Sequence, residues 1–416
     1  MSKIVRRRKK RRLKKKVKVF LFFIIMLIVI IYVKPFSRFK HKEVIPTYEY
    51  QNKIVNKSDT ELNKDIEKLL IDFYNVYFRS MKELKVYNSD KFFTTDSEDK
   101  QLYKTAVEVM IESRKKQLTD LTLKDVKYDL TINKIENKDD TINIELLEDS
   151  YLDFSFLDFT SKVYNVLNKF EIVKENEKYK IKNFYKEQGF FVMIESLINE
   201  DEDKNLELER IKNSYLTKFN VKLDEQTKMN QEYLQNKEKT FKTCDNPYDR
   251  EKAVKYALKY VKTRNEEKVN YDYFGGNCQN YASWSMNNGG IPMDYTGSAQ
   301  WKHYSGDIND RNTSSGRSTS WTGVPQFYMY AKNNTGYGLC AEVNVNSYYA
   351  EKGDIIQVGY DNVFRHTALV MDTYKKDGSV IDVILTSNSG DLEYYPLSAY
   401  VYPEKRLIKI LGWNSK

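Results

Sequence analysis

The sequence predicts an α+β protein built from an N-terminal transmembrane helix, an α+β middle domain, a helical connector and a C-terminal α+β domain. Its 416 residues, 41% hydrophobic and 31% charged, suffice for two or three packed domains. An uncharged apolar run occupies residues 19–33. Beyond Cys244 lie 15 of the 16 glycines and all four tryptophans, and this shift in composition places a domain boundary near that residue.

The N-terminal segment has the pattern of a membrane anchor. Residues 1–18 contain 12 Lys and Arg and no acidic residue, and we interpret them as a basic cytoplasmic tail. Residues 19–33 would form a helix ~22 Å long, which flanking lysines extend toward a ~30 Å hydrocarbon core. Because no small-residue cleavage site follows, an uncleaved signal anchor is favoured over a secretory signal peptide. The excess of cations before the run predicts a single-pass protein of the cell membrane, with its N-terminus cytoplasmic and its C-terminal domains extracytoplasmic.

The charge distribution also indicates the partners. Once the 16 cations of residues 1–42 are subtracted from the overall +9, residues 43–416 carry a formal net charge of −7. A basic run can be a nucleic-acid-binding arm. A hydrophobic helix directly behind it favours anionic lipid headgroups instead. We therefore expect the membrane as a partner and no nucleic acid.

The middle of the chain shows a change of hydrophobic period. After a capping-box pattern at 58–61, apolar residues follow helical spacing, and a second helix is predicted over 98–118. From Val126 the period becomes two, which indicates antiparallel strands. Residues 45–198 are thus predicted to form an α+β domain, which serves either as a spacer or as the binding site of a protein partner. Residues 199–243 lack Gly and Pro and are rich in charge, so we interpret them as a helical connector.

Cys278 is the candidate nucleophile. Glycine pairs at 275–276 and 289–290 bracket a short predicted helix that has this cysteine in its first turn. A helix N-terminus stabilises a thiolate and lowers the pKa of the cysteine, and its free N–H groups can bind an oxyanion. A lone cysteine is more often a small buried hydrophobe. We apply that interpretation, or an optional disulfide, to Cys244 and Cys340.

Few side chains can serve as the base. His41 lies next to the predicted membrane span, and His303 sits in a polar loop, whereas His366 opens the apolar run RHTALVMD after a predicted strand. Because a catalytic imidazole must be rigidly held, His366 is favoured. Asn388 is the first choice, and Asp391 the second, for the group that orients the imidazole.

The small number of cysteines and histidines also limits the chemistry. Three Cys and three His exclude a disulfide framework, a repeated CxxC zinc cluster and a His-rich metal site. We expect no cofactor and no metal.

The stretch from Tyr248 to Trp413 resembles the bacterial putative amidase domain family, a branch of the papain-like cell-wall cysteine hydrolases that includes CHAP and NlpC-type enzymes. The matching segments, in the family's order over about 40% of the chain, are AVKYALKY, GGNCQNYAS, NNGGIPM, RSTSWTGVPQFYMY, GDIIQ, HTALVMD and TSNSGDLEYYPLS. The resemblance implies a papain-like α+β fold for residues 244–416, with Cys278 as nucleophile and His366 as base. Peptidoglycan stem peptides are the implied substrate.

Two positions depart from the family pattern. Asn277 stands where the family usually has Asp, and Gln279 stands where it has Thr. The residues expected to support the site are Gly276, Asn277, Asn280 and Trp321. The sequence thus predicts a membrane-anchored extracytoplasmic cysteine amidase or peptidase of a Gram-positive-type bacterium. Two alternatives stay open: a catalytically inactive cell-wall-binding scaffold with the same fold, and a thioester-forming transacylase.

Overall fold

A mixed sheet of eleven strands runs through the structure and determines where the candidate site lies. The computed structural model describes residues 50–199, 201–272, 275–296, 298–303 and 316–416. The stretch Glu49–Lys416 forms one compact unit.

The first half of the unit contains helices followed by an antiparallel meander, as the change of period predicted. Helix α1 begins after Asn63, whose side chain accepts a hydrogen bond from the Asp65 N–H. The expected cap Ser58 is not used, because its hydroxyl donates to Asn56 in a preceding turn. The elements are β1 (Gln51–Asn56), α1 (Lys64–Glu83), α2 (Asp99–Lys115), β2 (Leu123–Lys138), β3 (Thr141–Phe154), β4 (Ser161–Glu175), β5 (Lys178–Lys186) and α3 (Gly189–Glu195).

The predicted connector is a single helix, α4 (Lys204–Gln235), capped by the Asp203 side chain. An apolar stripe along this helix is buried: Leu208, Ile211, Tyr215 and Phe219. The Tyr215 hydroxyl donates to the carbonyl of Val401 in the second half of the chain. Helix α4 therefore packs against both halves.

The second half surrounds the candidate site. Cys244, which precedes its first helix, forms a disulfide with Cys340. The elements are α5 (Arg250–Tyr260), α6 (Cys278–Asn288), α7 (Thr319–Thr322), α8 (Val324–Asn333), β6 (Gly338–Val345), β7 (Ile355–Tyr360), β8 (Val363–Lys376), β9 (Ser379–Ser387), β10 (Asp391–Pro396) and β11 (Glu404–Asn414). Helix α6 packs against α5 and against the sheet at β8.

One sheet connects the two halves. The strand order is β1-β2-β3-β4-β10-β9-β8-β7-β11-β6, with β5 also paired to β4. The junction is the antiparallel pair β4–β10, in which Tyr164 faces Asp391 and Lys162 faces Glu393. The predicted fold class is wrong on this point, because a mixed sheet shared by both halves replaces a middle α+β domain and a separate papain-like α+β domain. Backbone pairing between remote strands leaves no local pattern from which to predict it.

The predicted transmembrane helix and single-pass localisation are also corrected. Residues 1–18 and 19–33, on which both predictions rested, lie outside the described residues. In the part of the chain that the structure describes, no helix is long and apolar enough to cross a membrane. The longest, α4, has 32 residues and carries charged side chains along its length.

Candidate active site

Cys278 is the first residue of α6, and it therefore lies in the first turn, as the flanking glycines predicted. Gly276 precedes it with φ +142°, a left-handed conformation that glycine adopts without steric cost. Asn277 occupies the N-cap position, but its side chain does not cap the helix. The first N–H groups of α6 are therefore not bound by a capping side chain, and they lie beside the Cys278 sulfur.

The electrostatics of Cys278 differ from the sequence prediction. The side chain is 7% exposed, and burial raises its pKa above the ordinary thiol value. Hydrogen bonds from the backbone N–H groups of Thr367, Gln279 and Cys278 itself act in the opposite direction without cancelling this effect. The helix N-terminus lies where the sequence predicted it. Desolvation nevertheless raises the pKa of the thiol by more than the helix N-terminus lowers it. The resting group at neutral pH is a thiol, which needs a base.

His366 lies on β8, where it pairs with Val358 of β7. It is half-buried, and desolvation lowers the pKa of the imidazole to about 4, so the ring is neutral at physiological pH. The backbone N–H of the next residue, Thr367, is near enough to the Cys278 sulfur to lower its pKa, and helix α6 packs against β8. The Tyr400 ring lies 6.2 Å from the His366 ring. Burial raises the pKa of the Tyr400 hydroxyl, and the electrostatic interaction with Cys278 adds to this shift.

Within the part of the chain that the structure describes, neither Asn388 nor Asp391 forms a hydrogen bond with the His366 imidazole. These were the two candidates for the residue that orients it. The Asn388 carbonyl accepts from Asn277 Nδ2 at 2.7 Å, and its amide donates to the carbonyls of Tyr260 and Val261. Asp391 forms an ion pair with Arg264. Both side chains hold loops around Cys278. Their positions in the sequence could not distinguish this supporting role from that of a third catalytic residue.

The residues expected to support the site form one network. Asn277 Oδ1 accepts from the Tyr271 N–H at 3.1 Å and from Asn280 Nδ2 at 2.8 Å. Asn280 Oδ1 in turn accepts from Trp321 Nε1 at 2.9 Å. Trp321 is fully buried. Asn277 therefore uses both ends of its amide, the oxygen toward Tyr271 and Asn280 and the nitrogen toward Asn388.

A second buried network was missed by the sequence reasoning. Gln279 Oε1 accepts from the Thr367 hydroxyl at 2.8 Å, which links the first turn of α6 to β8. Gln357 Nε2 donates to the Val324 carbonyl at 2.8 Å, and its Oε1 accepts from Arg406. Gln279, Thr367 and Gln357 are fully buried. The segment GDIIQ was visible as a motif, but nothing local indicated that its glutamine faces α6.

His303 occupies a different face of α6. Its ring packs against the rings of both Trp284 and Trp321, and its Nε2 lies 3.0 Å from the Tyr271 hydroxyl. Burial lowers its pKa to about 4. Trp284 follows Cys278 by six residues, which at 3.6 residues per turn places it on a different side of the helix from Cys278.

Comparison with known proteins concerns this half of the chain. Residues 247–411 match the family described as Putative amidase domain, which indicates an amidase-like domain and amide hydrolysis as its class of reaction. No curated protein matches the chain significantly. A solved structure that matches is a Putative Scytalone Dehydratase from Novosphingobium aromaticivorans, 14% identical over 29% of this chain and 79% of that chain, with a TM-score of 0.22. A TM-score this low does not indicate a shared fold.

Proposed function

We propose that this protein is a thiol-dependent amidase or peptidase in which Cys278 is the nucleophile and His366 the general base. The observation that carries the proposal is the placement of Cys278. A buried thiol at a helix N-terminus, next to the backbone of the residue after a neutral histidine, lies within the stretch that matches an amidase family. Structural cysteines seldom combine these features.

The proposed reaction proceeds through a thioester. His366 accepts the Cys278 proton as the sulfur attacks the amide carbonyl, forming the C–S bond. The N–H groups at the start of α6 stabilise the oxyanion. The C–N bond then breaks as the imidazolium returns its proton to the leaving amine. Water, deprotonated by His366, attacks the thioester and releases the acid and the free thiol.

The proposed substrate is a peptide amide of the bacterial cell wall, such as a peptidoglycan stem peptide. The support is the resemblance of the second half to cell-wall cysteine hydrolases. The Asn277 network favours an enzyme over an inactive scaffold, because the residue that departs from the family pattern still holds Tyr271, Asn280 and Asn388 through its side chain.

The test uses the full chain and purified peptidoglycan, with released muropeptides identified by mass spectrometry. Cys278→Ala is expected to lower product formation at least about a thousand-fold, because the nucleophile is lost. Asn176→Gly, at the exposed turn between β4 and β5, is the control and should match the wild type. Undiminished hydrolysis by Cys278→Ala would contradict the thiol mechanism. Binding to walls without any product would favour the scaffold.

A further inference from the structure

We propose that Asn165, a residue of the first half of the chain, is a positioning residue for the candidate active site. Its side chain holds the loop that precedes Cys278 through a chain of hydrogen bonds across the β4–β10 junction. The catalytic consequence rests on the proposed function, whereas the contacts themselves do not depend on it.

Asn165 lies at the branch point of β4. Residues 162–164 of this strand pair with β10, and residues 168–175 pair with β5. Between these segments Asn165 adopts φ +56°, and the register with β3 shifts at the facing Asp149. The Asn165 N–H donates to Asp149 Oδ1 at 2.8 Å. Such a bulge redirects a side chain out of the ladder.

The redirected amide of Asn165 contacts the second half of the chain at two points. Its Nδ2 donates to Asp391 Oδ2 at 2.9 Å and to the Lys262 carbonyl at 2.9 Å, so both of its hydrogens are used. Lys262 Nζ also donates to Asp149 Oδ2 at 2.6 Å. The bulge therefore anchors the end of β10 and the loop after α5 together.

Asp391 passes this constraint to the nucleophile loop. Its carboxylate is 3% exposed and accepts from the Ser389 N–H at 2.8 Å and from Arg264 at 3.0 Å. Ser389 Oγ accepts from the Asn277 N–H at 2.6 Å and donates to Asp272. Asp272 is also paired with Arg264.

Three hydrogen bonds thus lead from the Asn165 amide to the backbone of the residue before Cys278. The loop 388–391 additionally presents Asn388 to the Asn277 side chain. Loss of the Asn165 amide leaves the buried Asp391 without one of its donors and frees the loop after α5. The position of Cys278 relative to His366 should then be less well defined, and misplacement on the order of 1 Å can cost about a hundred-fold in rate.

The test compares two substitutions of the same kind. Asn165→Gly removes both donors without strain, because glycine tolerates a positive φ. Asn176→Gly is the matched control, since Asn176 has φ +50° and lies at the exposed β4–β5 turn. All three cysteines are in the described part, and two of them form the disulfide, so iodoacetamide applied to the full chain without reductant reports on Cys278.

We expect Asn165→Gly to raise the alkylation rate of Cys278 about fivefold or more and to change its pH profile, because the buried thiol becomes accessible. It should lower kcat for amide hydrolysis about tenfold with little change in KM. Asn176→Gly should stay within about twofold of the wild type in both.

A second pair of variants keeps the proposal testable if Asn165→Gly does not fold. Asn165→Asp replaces the donor with a carboxylate facing Asp391, and should show the same defect. When Asp391→Asn is added to Asn165→Asp, the amide at 391 can donate to the carboxylate at 165. The double variant should therefore recover part of the wild-type alkylation profile. Alkylation of Asn165→Gly or Asn165→Asp at the wild-type rate at every pH would overturn the proposal, even if the wild type hydrolyses amides. Lack of hydrolysis by the wild type would count against the proposed function alone, because alkylation still decides the role of Asn165.

Discussion

At the scale of single residues, desolvation decides the chemistry of the candidate site. Burial raises the pKa of Cys278 and lowers that of His366, so both groups are neutral near pH 7. The resting pair is then a thiol and an imidazole, not a thiolate and an imidazolium. In the proposed reaction the proton must therefore move, and His366 would act as a general base for the attack and as an acid for the leaving group.

This neutral pair predicts the acid limb of the pH profile. The imidazole accepts a proton only when it is neutral, so kcat/KM should fall as the pH drops through about 4 and should be flat from about pH 5 to 8. The measurement is kcat/KM of the full chain against pH. An acid limb near pH 6.5, the ordinary histidine value, would contradict a desolvated His366.

At the scale of elements, the segment before α5 is covalently fixed to the sheet. The Cys244–Cys340 disulfide joins residues 96 positions apart, from that segment to β6. A cross-link that closes a long loop removes conformational entropy from the unfolded chain. It also limits the movement of the chain that leads into α5, and the helix that begins at Cys278 packs against α5.

Replacement of both cysteines by serine, Cys244→Ser with Cys340→Ser, should lower the free energy of unfolding by about 2–4 kcal/mol. Urea denaturation of the full chain measures this change. Cys278→Ser serves as the control, because it removes a sulfur and leaves the disulfide intact. The disulfide would have no stabilising role if the double variant and the wild type unfolded at the same urea concentration.

At the scale of the whole molecule, the two halves share one sheet and one hydrophobic core. Buried polar contacts reinforce the junction: Arg114 donates to the Tyr395 hydroxyl at 2.7 Å, and the Ser161 hydroxyl donates to the Tyr394 carbonyl at 2.7 Å. The first half therefore forms part of the scaffold on which β10 and the candidate site rest.

A fragment of residues 244–416 should consequently fail to form a stable monomer. Without β4, strand β10 becomes an unpaired edge, and core residues that pack on the first half become exposed. The full chain is expected to unfold in one cooperative transition, whereas the fragment should lack one and aggregate. Thermal circular dichroism and size-exclusion chromatography measure both. A monomeric fragment with the full chain's unfolding midpoint would refute this dependence.

Much of the local structure followed from the sequence alone. The change from helical to alternating period located the helices and strands of the first half, and the glycine pairs located the helix that begins at Cys278. His366 was selected because so few histidines are present. The helices and strands depend on backbone conformation and on periodic burial, which neighbouring residues determine.

Only the tertiary structure decided how those pieces act on one another. Three features depend on residues that are remote in the chain. They are the pairing of β4 with β10, the hydrogen bonds and ion pair of Asn388 and Asp391, and the raised pKa of Cys278. Strand register and desolvation are set by the summed packing of the molecule and leave no local sequence pattern. The sequence therefore determined which side chains are candidates for the chemistry, and the fold decided what environment and which partners each of them has.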